Sequence, residues 1–194
     1  MRKILIVVDM QNDFVSGVLG NDETKSVLSR VADKLRDHGE EYDRVYLTKD
    51  THFSNYHKTI EGQRIPMHCF YGDGDGREIC REIVDEINTL SMKKPDLKFV
   101  EFIKETFGSD IMIENLQRYY EEINDQRDYN ERFSYEFELC GVCTDICVLS
   151  NAILLRNAFP DAIIKVDADC CAGTSVEAHN AALKVMHSCL IDIV

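Results

Sequence analysis

Apolar positions along the chain fall into two alternating patterns, short continuous runs and longer stretches with helical spacing. Ile4 to Val8 is a continuous apolar run ending in Asp9, as expected of a strand buried on both faces. Thr24 to Arg36 places Val27, Leu28, Val31 and Leu35 at helical spacing, and Arg44 to Thr48 reads as a second strand. Residues 50–75, rich in His, Gly and Asp, show neither period and read as a functional loop. A helix is expected over Glu78 to Leu90, where Ile79, Ile83 and Ile87 recur at helical spacing, then a third strand at Leu97 to Val100. Asp110 to Glu122 predicts a helix, Phe137 to Val142 a fourth strand, and Thr144 to Phe159 a helix with Thr144 as its N-cap. Ala162 to Val166, Ser175 to Met186 and Leu190 to Val194 complete the series as strand, helix and strand. Strands alternating with helices predict an α/β fold: a three-layer, doubly wound, mostly parallel six-stranded sheet with helices on both faces. No repeat or linker divides the 194 residues, so a single domain over 1–194 is expected.

Composition narrows the function. The net charge of −13 opposes contact with phosphate backbones and anionic membranes, so neither nucleic acid nor membrane is an expected partner. Eight cysteines could suggest a disulfide scaffold, but such scaffolds are short and secreted. The N-terminal apolar run is too short for a signal sequence, and nothing reaches the ~18 apolar residues of a membrane span. A reduced, cytoplasmic protein with free thiols is the expectation. The segment from Glu121 to Arg132 is highly charged and reads as solvated surface.

In parallel sheets, sites form at the carboxyl ends of strands. Asp9, Asp50, Lys104 and the turn from Cys143 to Cys147 all follow expected strands, so four chemically capable groups could share one cleft. Cys147 falls in the first turn of a helix, where the dipole and free N–H groups favour a thiolate and could hold an oxyanion. Cys140, Cys143 and Cys147 form a C-x2-C-x3-C run, but strand geometry turns Cys140 and Cys143 apart and disfavours a metal cluster there. A second group follows strand two. Asp50 and His52 point the same way in an extended segment, and His57, Glu61 and His68 follow in the same loop. Mixed carboxylate and imidazole donors suit a divalent ion, zinc first, with iron or manganese as alternatives. His38, His179 and His187 read as packing or surface groups, and Cys170 to Thr174 as a turn after strand five.

Three segments carry a family resemblance. Val8-Asp9-Met10-Gln11-Asn12-Asp13-Phe14, Lys104-Glu105-Thr106-Phe107-Gly108-Ser109 and Gly141-Val142-Cys143-Thr144-Asp145-Ile146-Cys147-Val148 resemble the signature segments of the isochorismatase-like cysteine hydrolases, nicotinamidases included. The resemblance implies a catalytic triad of Asp9, Lys104 and Cys147, a cis Val142–Cys143 peptide, and an oxyanion hole from the Cys143 and Cys147 amides. It implies metal ligation by Asp50, His52 and His68, with Glu61, or His57 in its place, as the fourth ligand; Glu61 is the expected one. Phe14, Ile65 and Val142 are the expected substrate contacts. Members usually carry Trp before the Pro-x-His-Cys segment, whereas here that position is Ile65 and the chain has no Trp.

The activity implied is metal-dependent hydrolysis of nicotinamide, or a close small amide, to the acid and ammonia through a cysteine thioester. The metal would bind the pyridine nitrogen, and the enzyme would form a homo-oligomer, dimer or tetramer. Two other readings are a related hydrolase of another small amide, ureide or carbamoyl compound, and a non-catalytic metal-binding or redox-sensing protein.

Overall fold

The fold was derived from a computed structural model, which describes residues 1–72, 74–128 and 134–194. Its centre is a sheet whose pairings are all parallel among the described residues. The strands are β1 (Arg2–Val8), β2 (Arg44–Asp50), β3 (Lys98–Lys104), β4 (Tyr135–Val142), β5 (Ile163–Ala172) and β6 (Asp192–Ile193). They lie in the order β3-β2-β1-β4-β5-β6. Strand order therefore reverses between β1 and β4, where ligand clefts of open α/β sheets form.

The helices are α1 (Asn12–Val15), α2 (Asp22–His38), α3 (Arg81–Lys93), α4 (Asp110–Asn124), α5 (Leu149–Ala158) and α6 (Val176–Ser188). Val27, Val31 and Leu35 of α2 and Ile83 and Leu90 of α3 pack with Leu5, Val7 and Cys140 on one face. Met112 and Leu116 of α4, Leu155 of α5 and Met186 of α6 pack with Ile4, Ile6 and Phe137 on the other. The expected three layers follow from this division, because β1 alternates its side chains between two apolar layers. No helix among the described residues is long and apolar enough to cross a membrane.

Several boundaries differ from the sequence pattern. The third helix starts at Arg81 rather than Glu78, because Glu78 Oε2 accepts a 2.7 Å bond from Lys49 Nζ and its carbonyl accepts one from Asn12 N–H. β5 runs on through Cys170, Cys171 and Ala172, so these residues form a strand and not a turn. Its register shifts between Leu139 and Gly141 of β4 let it continue past the apolar run that marked it. Thr144 is no N-cap: Cys143 takes that place without a side-chain bond, and Thr144 to Val148 form a π-helical turn leading into α5. The Thr144 hydroxyl pairs with His179 Nδ1 at 2.8 Å instead. The last strand is reduced to Asp192–Ile193. Of the charged 121–132 segment, residues 121–124 finish α4 and residues 129–132 lie outside the described residues.

Candidate active site

β1 ends at Val8, and the next residue, Asp9, takes a left-handed backbone with φ of 48°. A non-glycine residue holds that conformation only where its surroundings fix it. Thr48 of β2 does so, donating from its hydroxyl to Asp9 Oδ1 at 2.7 Å and accepting from the Asp9 N–H at 3.2 Å. On the other side, Gly141 of β4 lies so close that a Cβ there would fall 2.1 Å from the Val8 carbonyl oxygen. Its φ of 116° also favours glycine. The carboxylate is thus held at the switch point between β1 and β4.

Lys104, the last residue of β3, reaches across β2 into this position. Its Nζ lies 2.8 Å from Asp9 Oδ2, 3.2 Å from Asp50 Oδ1 and 3.7 Å from Cys147 Sγ. All four side chains are buried. Burial raises the Asp9 pKa above the ordinary carboxyl value, with the attraction of Lys104 opposing it. Burial works against charge on Lys104, but Asp9, Cys147 and Asp50 outweigh it and hold the ammonium firmly. Asp9 Oδ2, although close to Lys104, has no aligned hydrogen-bond donor. That leaves it an acceptor lobe within a site that contains a thiol.

Cys147 departs from expectation in one respect. The helix start was expected to favour its thiolate, whereas burial pushes the thiol well above its ordinary pKa, and Lys104 only partly counters this. The physical reason is desolvation: a fully enclosed sulfur loses more from water than one turn of helix dipole returns. The resting pair is therefore a thiol beside Asp9, ready to pass its proton.

The turn carrying Cys147 is tied down at both ends. The Val142–Cys143 peptide is cis, and the Cys143 carbonyl accepts from the N–H groups of Ile146 and Val148 at 3.1 Å. Asn151, fully buried one turn on, donates to the Cys147 carbonyl at 2.8 Å and to the Phe107 carbonyl at 3.3 Å. Its Oδ1 accepts from the Ser109 N–H at 3.0 Å. One side chain so fastens the loop after Lys104 to the helix bearing Cys147. The Cys143 thiol is buried and pushed up to about 12, which makes it a poor nucleophile.

A second cluster adjoins the first through Asp50. Its Oδ1 faces Lys104, while its Oδ2 lies 2.9 Å from His52 Nε2 and 3.1 Å from His68 Nε2. Glu61 Oε1 lies 3.5 Å and 3.7 Å from the same two nitrogens. One donor atom from each of Asp50, His52, Glu61 and His68 falls within 4.8 Å of the others. Burial would raise Asp50, but His52, His68 and Lys104 hold it well below the usual carboxylate range. Burial likewise opposes charge on His52, yet Asp50 and Glu61 push the imidazole up to about 9.

Two observations fit this cluster to a cation. His52 Nε2 is buried without an aligned hydrogen-bond partner, and such orphans call for an explanation. His68 Nδ1 lies 2.8 Å from the Pro66 carbonyl, which places the proton on Nδ1 and leaves the Nε2 lone pair facing the cluster. The four side chains can therefore hold a divalent cation. Among the described residues no group of cysteines does so.

The structure brings together Asp9, Lys104, Cys147 and Cys143, and beside them Asp50, His52, Glu61 and His68. It leaves out His57, which is exposed on a single turn of 3-10 helix at Tyr56–Lys58. Phe14 of α1 stands edge-on to His68, with centroids 5.3 Å apart. Val142 is buried at the end of β4, and Ile65 is half-buried. Cys69, beside His68, is held by its N–H bond to Asp13 Oδ2 at 2.7 Å, and its thiol is raised by burial.

Sequence reasoning passed over Gln11, Tyr56, Asn151 and the Thr144–His179 pair. Gln11 is the most informative: its Nε2 donates to the Asp50 carbonyl at 2.8 Å and its Oε1 accepts from the Asp50 N–H at 2.7 Å. A buried amide thereby fixes the backbone that presents Asp50. Its place between Asp9 and Asp13 in an otherwise functional segment was the available signal.

The model of the isochorismatase domain family matches residues 3–194. A nicotinamidase of Schizosaccharomyces pombe is 27% identical over 98% of this chain and 91% of its own length. Among solved structures, a nicotinamidase/pyrazinamidase from Bacillus subtilis superposes with a TM-score of 0.76 at 22% identity, covering 100% of both chains. A pyrazinamidase of Pyrococcus horikoshii, solved in complex with zinc, gives 0.74 at 24% identity over 100% of this chain and 99% of that one. These likenesses extend the fold over the whole length of the chain.

Proposed function

The chain belongs to the isochorismatase family, and from that premise we propose that it is a cysteine amidohydrolase of nicotinamidase type, converting nicotinamide or a close small amide to the acid and ammonia. The observation that carries this reading is the Lys104 ammonium within 3.7 Å of Asp9, Asp50 and Cys147 at once. A binding protein has no need of a buried thiol set against a proton acceptor and a fixed cation.

Cys147 passes its proton to Asp9 as its sulfur bonds to the carboxamide carbon. Asp9 is suited to accept it, since burial already raises its affinity for protons. As the proton leaves, Lys104 steadies the negative charge on the sulfur until the C–S bond forms and the charge passes to the carbonyl oxygen. The amides of Cys143 and Cys147 receive the oxyanion. Asp9 returns the proton to the departing nitrogen, ammonia leaves, and a thioester remains. Water attacks the thioester carbon with Asp9 again taking the proton, and the acid and the Cys147 thiol are released.

Asp50, His52, Glu61 and His68 would hold a divalent cation, zinc by the donor set, with iron or manganese as alternatives. Such an ion would supply a Lewis acid to which a ring nitrogen of the substrate could bind. Phe14, Ile65 and Val142 are taken as the walls that orient the ring. The eight free thiols support a reducing, cytoplasmic setting, and the family resemblance supports a homo-oligomer.

Ile65 favours one second reading. An aliphatic wall there suits a non-aromatic amide, ureide or carbamoyl substrate as well. Ammonia release from nicotinamide and from a panel of such compounds, with and without a chelator, tests both. The first reading predicts nicotinamide turnover that a chelator removes and that Cys147→Ala abolishes without loss of fold. Turnover confined to other panel members supports the second, and full activity of Cys147→Ala would refute the mechanism.

A further inference from the structure

Tyr56 is 3% exposed, although His57 and Lys58 in the same turn are exposed. Its ring lies over the His52 ring, with centroids 4.2 Å apart and planes tilted by 37°. It also stands edge-on to His68 at 5.5 Å and 86°. Its hydroxyl is 3.4 Å from Glu61 Oε1 and 3.4 Å from His68 Nδ1. The His68 Nδ1 proton is engaged by the Pro66 carbonyl at 2.8 Å, so the phenol has no acceptor there and its proton goes to Glu61.

The Tyr56 backbone ties the same loop. Its carbonyl accepts from the N–H and the hydroxyl of Thr59, each at 2.8 Å. The Thr59 hydroxyl in turn accepts from the Gly62 N–H at 2.9 Å. A Cβ on Gly62 would fall 2.0 Å from the Tyr56 carbonyl oxygen, so the chain closes tightly around the residue before it. That residue is Glu61.

We propose that Tyr56 is the positioning residue of the cation cluster, its hydroxyl aiming Glu61 and its ring backing His52. The turn that points Tyr56 inward points His57 outward, so it also decides which side chain completes the donor set. A carboxylate held by one bond from a buried phenol keeps one oxygen directed at the cluster. Without that bond it must be ordered by the cation itself, and the entropy of ordering is taken from the affinity.

This rests on the cation reading above, and the test separates the two. Metal-free protein is titrated with cobalt(II), and binding is followed by its visible absorption. Wild-type protein is expected to bind one equivalent with a spectrum lost in Asp50→Ala. Tyr56→Phe keeps both ring contacts, so its thermal melt should match wild type while its cobalt(II) affinity falls about tenfold or more and the spectrum shifts. Tyr56→Leu, which also loses the rings, should bind more weakly still. Wild-type protein that takes up no cobalt(II) overturns the cation reading and this proposal together. Wild-type binding matched within twofold by Tyr56→Phe, with an unchanged spectrum, overturns the proposal alone.

Discussion

Replacing Lys104 by Met removes the charge and keeps most of the stem. What remains is two buried carboxylates, Asp9 and Asp50, that had shared one ammonium at 2.8 Å and 3.2 Å. Breaking a buried pair by deleting one partner costs about 3–5 kcal/mol, because a charge is left without compensation. For a chain of this size each kcal/mol lowers Tm by about 2–4 °C, so the variant should melt roughly 6–20 °C below wild type near neutral pH. The pH dependence follows from Asp9. In wild type its folded pKa already lies above the ordinary carboxyl value, because burial exceeds the attraction of Lys104. Without Lys104 it must rise further. A carboxyl whose folded pKa exceeds its unfolded value makes the folded state the better proton binder between the two. Stability then falls as pH rises through that window and returns on acidification. The Tm deficit of Lys104→Met should therefore narrow as the pH is lowered from neutral. Melting curves of both proteins with a chelator present provide the measurement, since a bound cation would otherwise enter the difference. A deficit below about 2 °C near neutral pH, or one that widens on acidification, would refute the reasoning.

Two further substitutions test how the site is supported. Gly141→Ala would set a Cβ 2.1 Å from the Val8 carbonyl at a φ of 116°; a loss of about 2 kcal/mol or more is expected, read from the urea midpoint. Asn151→Ala strands two carbonyls and one N–H. It should cost about 2–3 kcal/mol in unfolding and lower kcat more than it raises KM, because it moves Lys104 relative to Cys147 rather than the substrate.

The fold was legible wherever burial on both faces left a continuous apolar run. Ile4 to Val8 announces β1 because each of its residues meets one apolar layer or the other. The same logic fails where a strand outruns its apolar stretch. Asp167 and Asp169 interrupt β5 with charges, yet the strand continues because Lys34 of α2 lies 2.6 Å from Asp167 and lets that charge stay. The alternation rule also fails at Cys140 and Cys143, expected on opposite faces. Both join the same apolar layer: Leu139, Cys140 and Val142 keep alternating through Gly141, but β4 ends at Val142 and Cys143 lies beyond it. In the site, residues that bear the chemistry were legible because strand ends in a parallel sheet are where such groups gather. Residues that hold them were not. Gln11, Asn151 and Tyr56 act through hydrogen bonds to backbone or side chains 39, 42 and 5 positions away. No period or spacing in a sequence records such partners, because each is set by how the folded chain brings the two groups together. The left-handed turn at Asp9 belongs with them: a carboxylate after a strand is common, and what makes this one a proton acceptor is Thr48, Gly141 and Lys104 closing around it from three different strands.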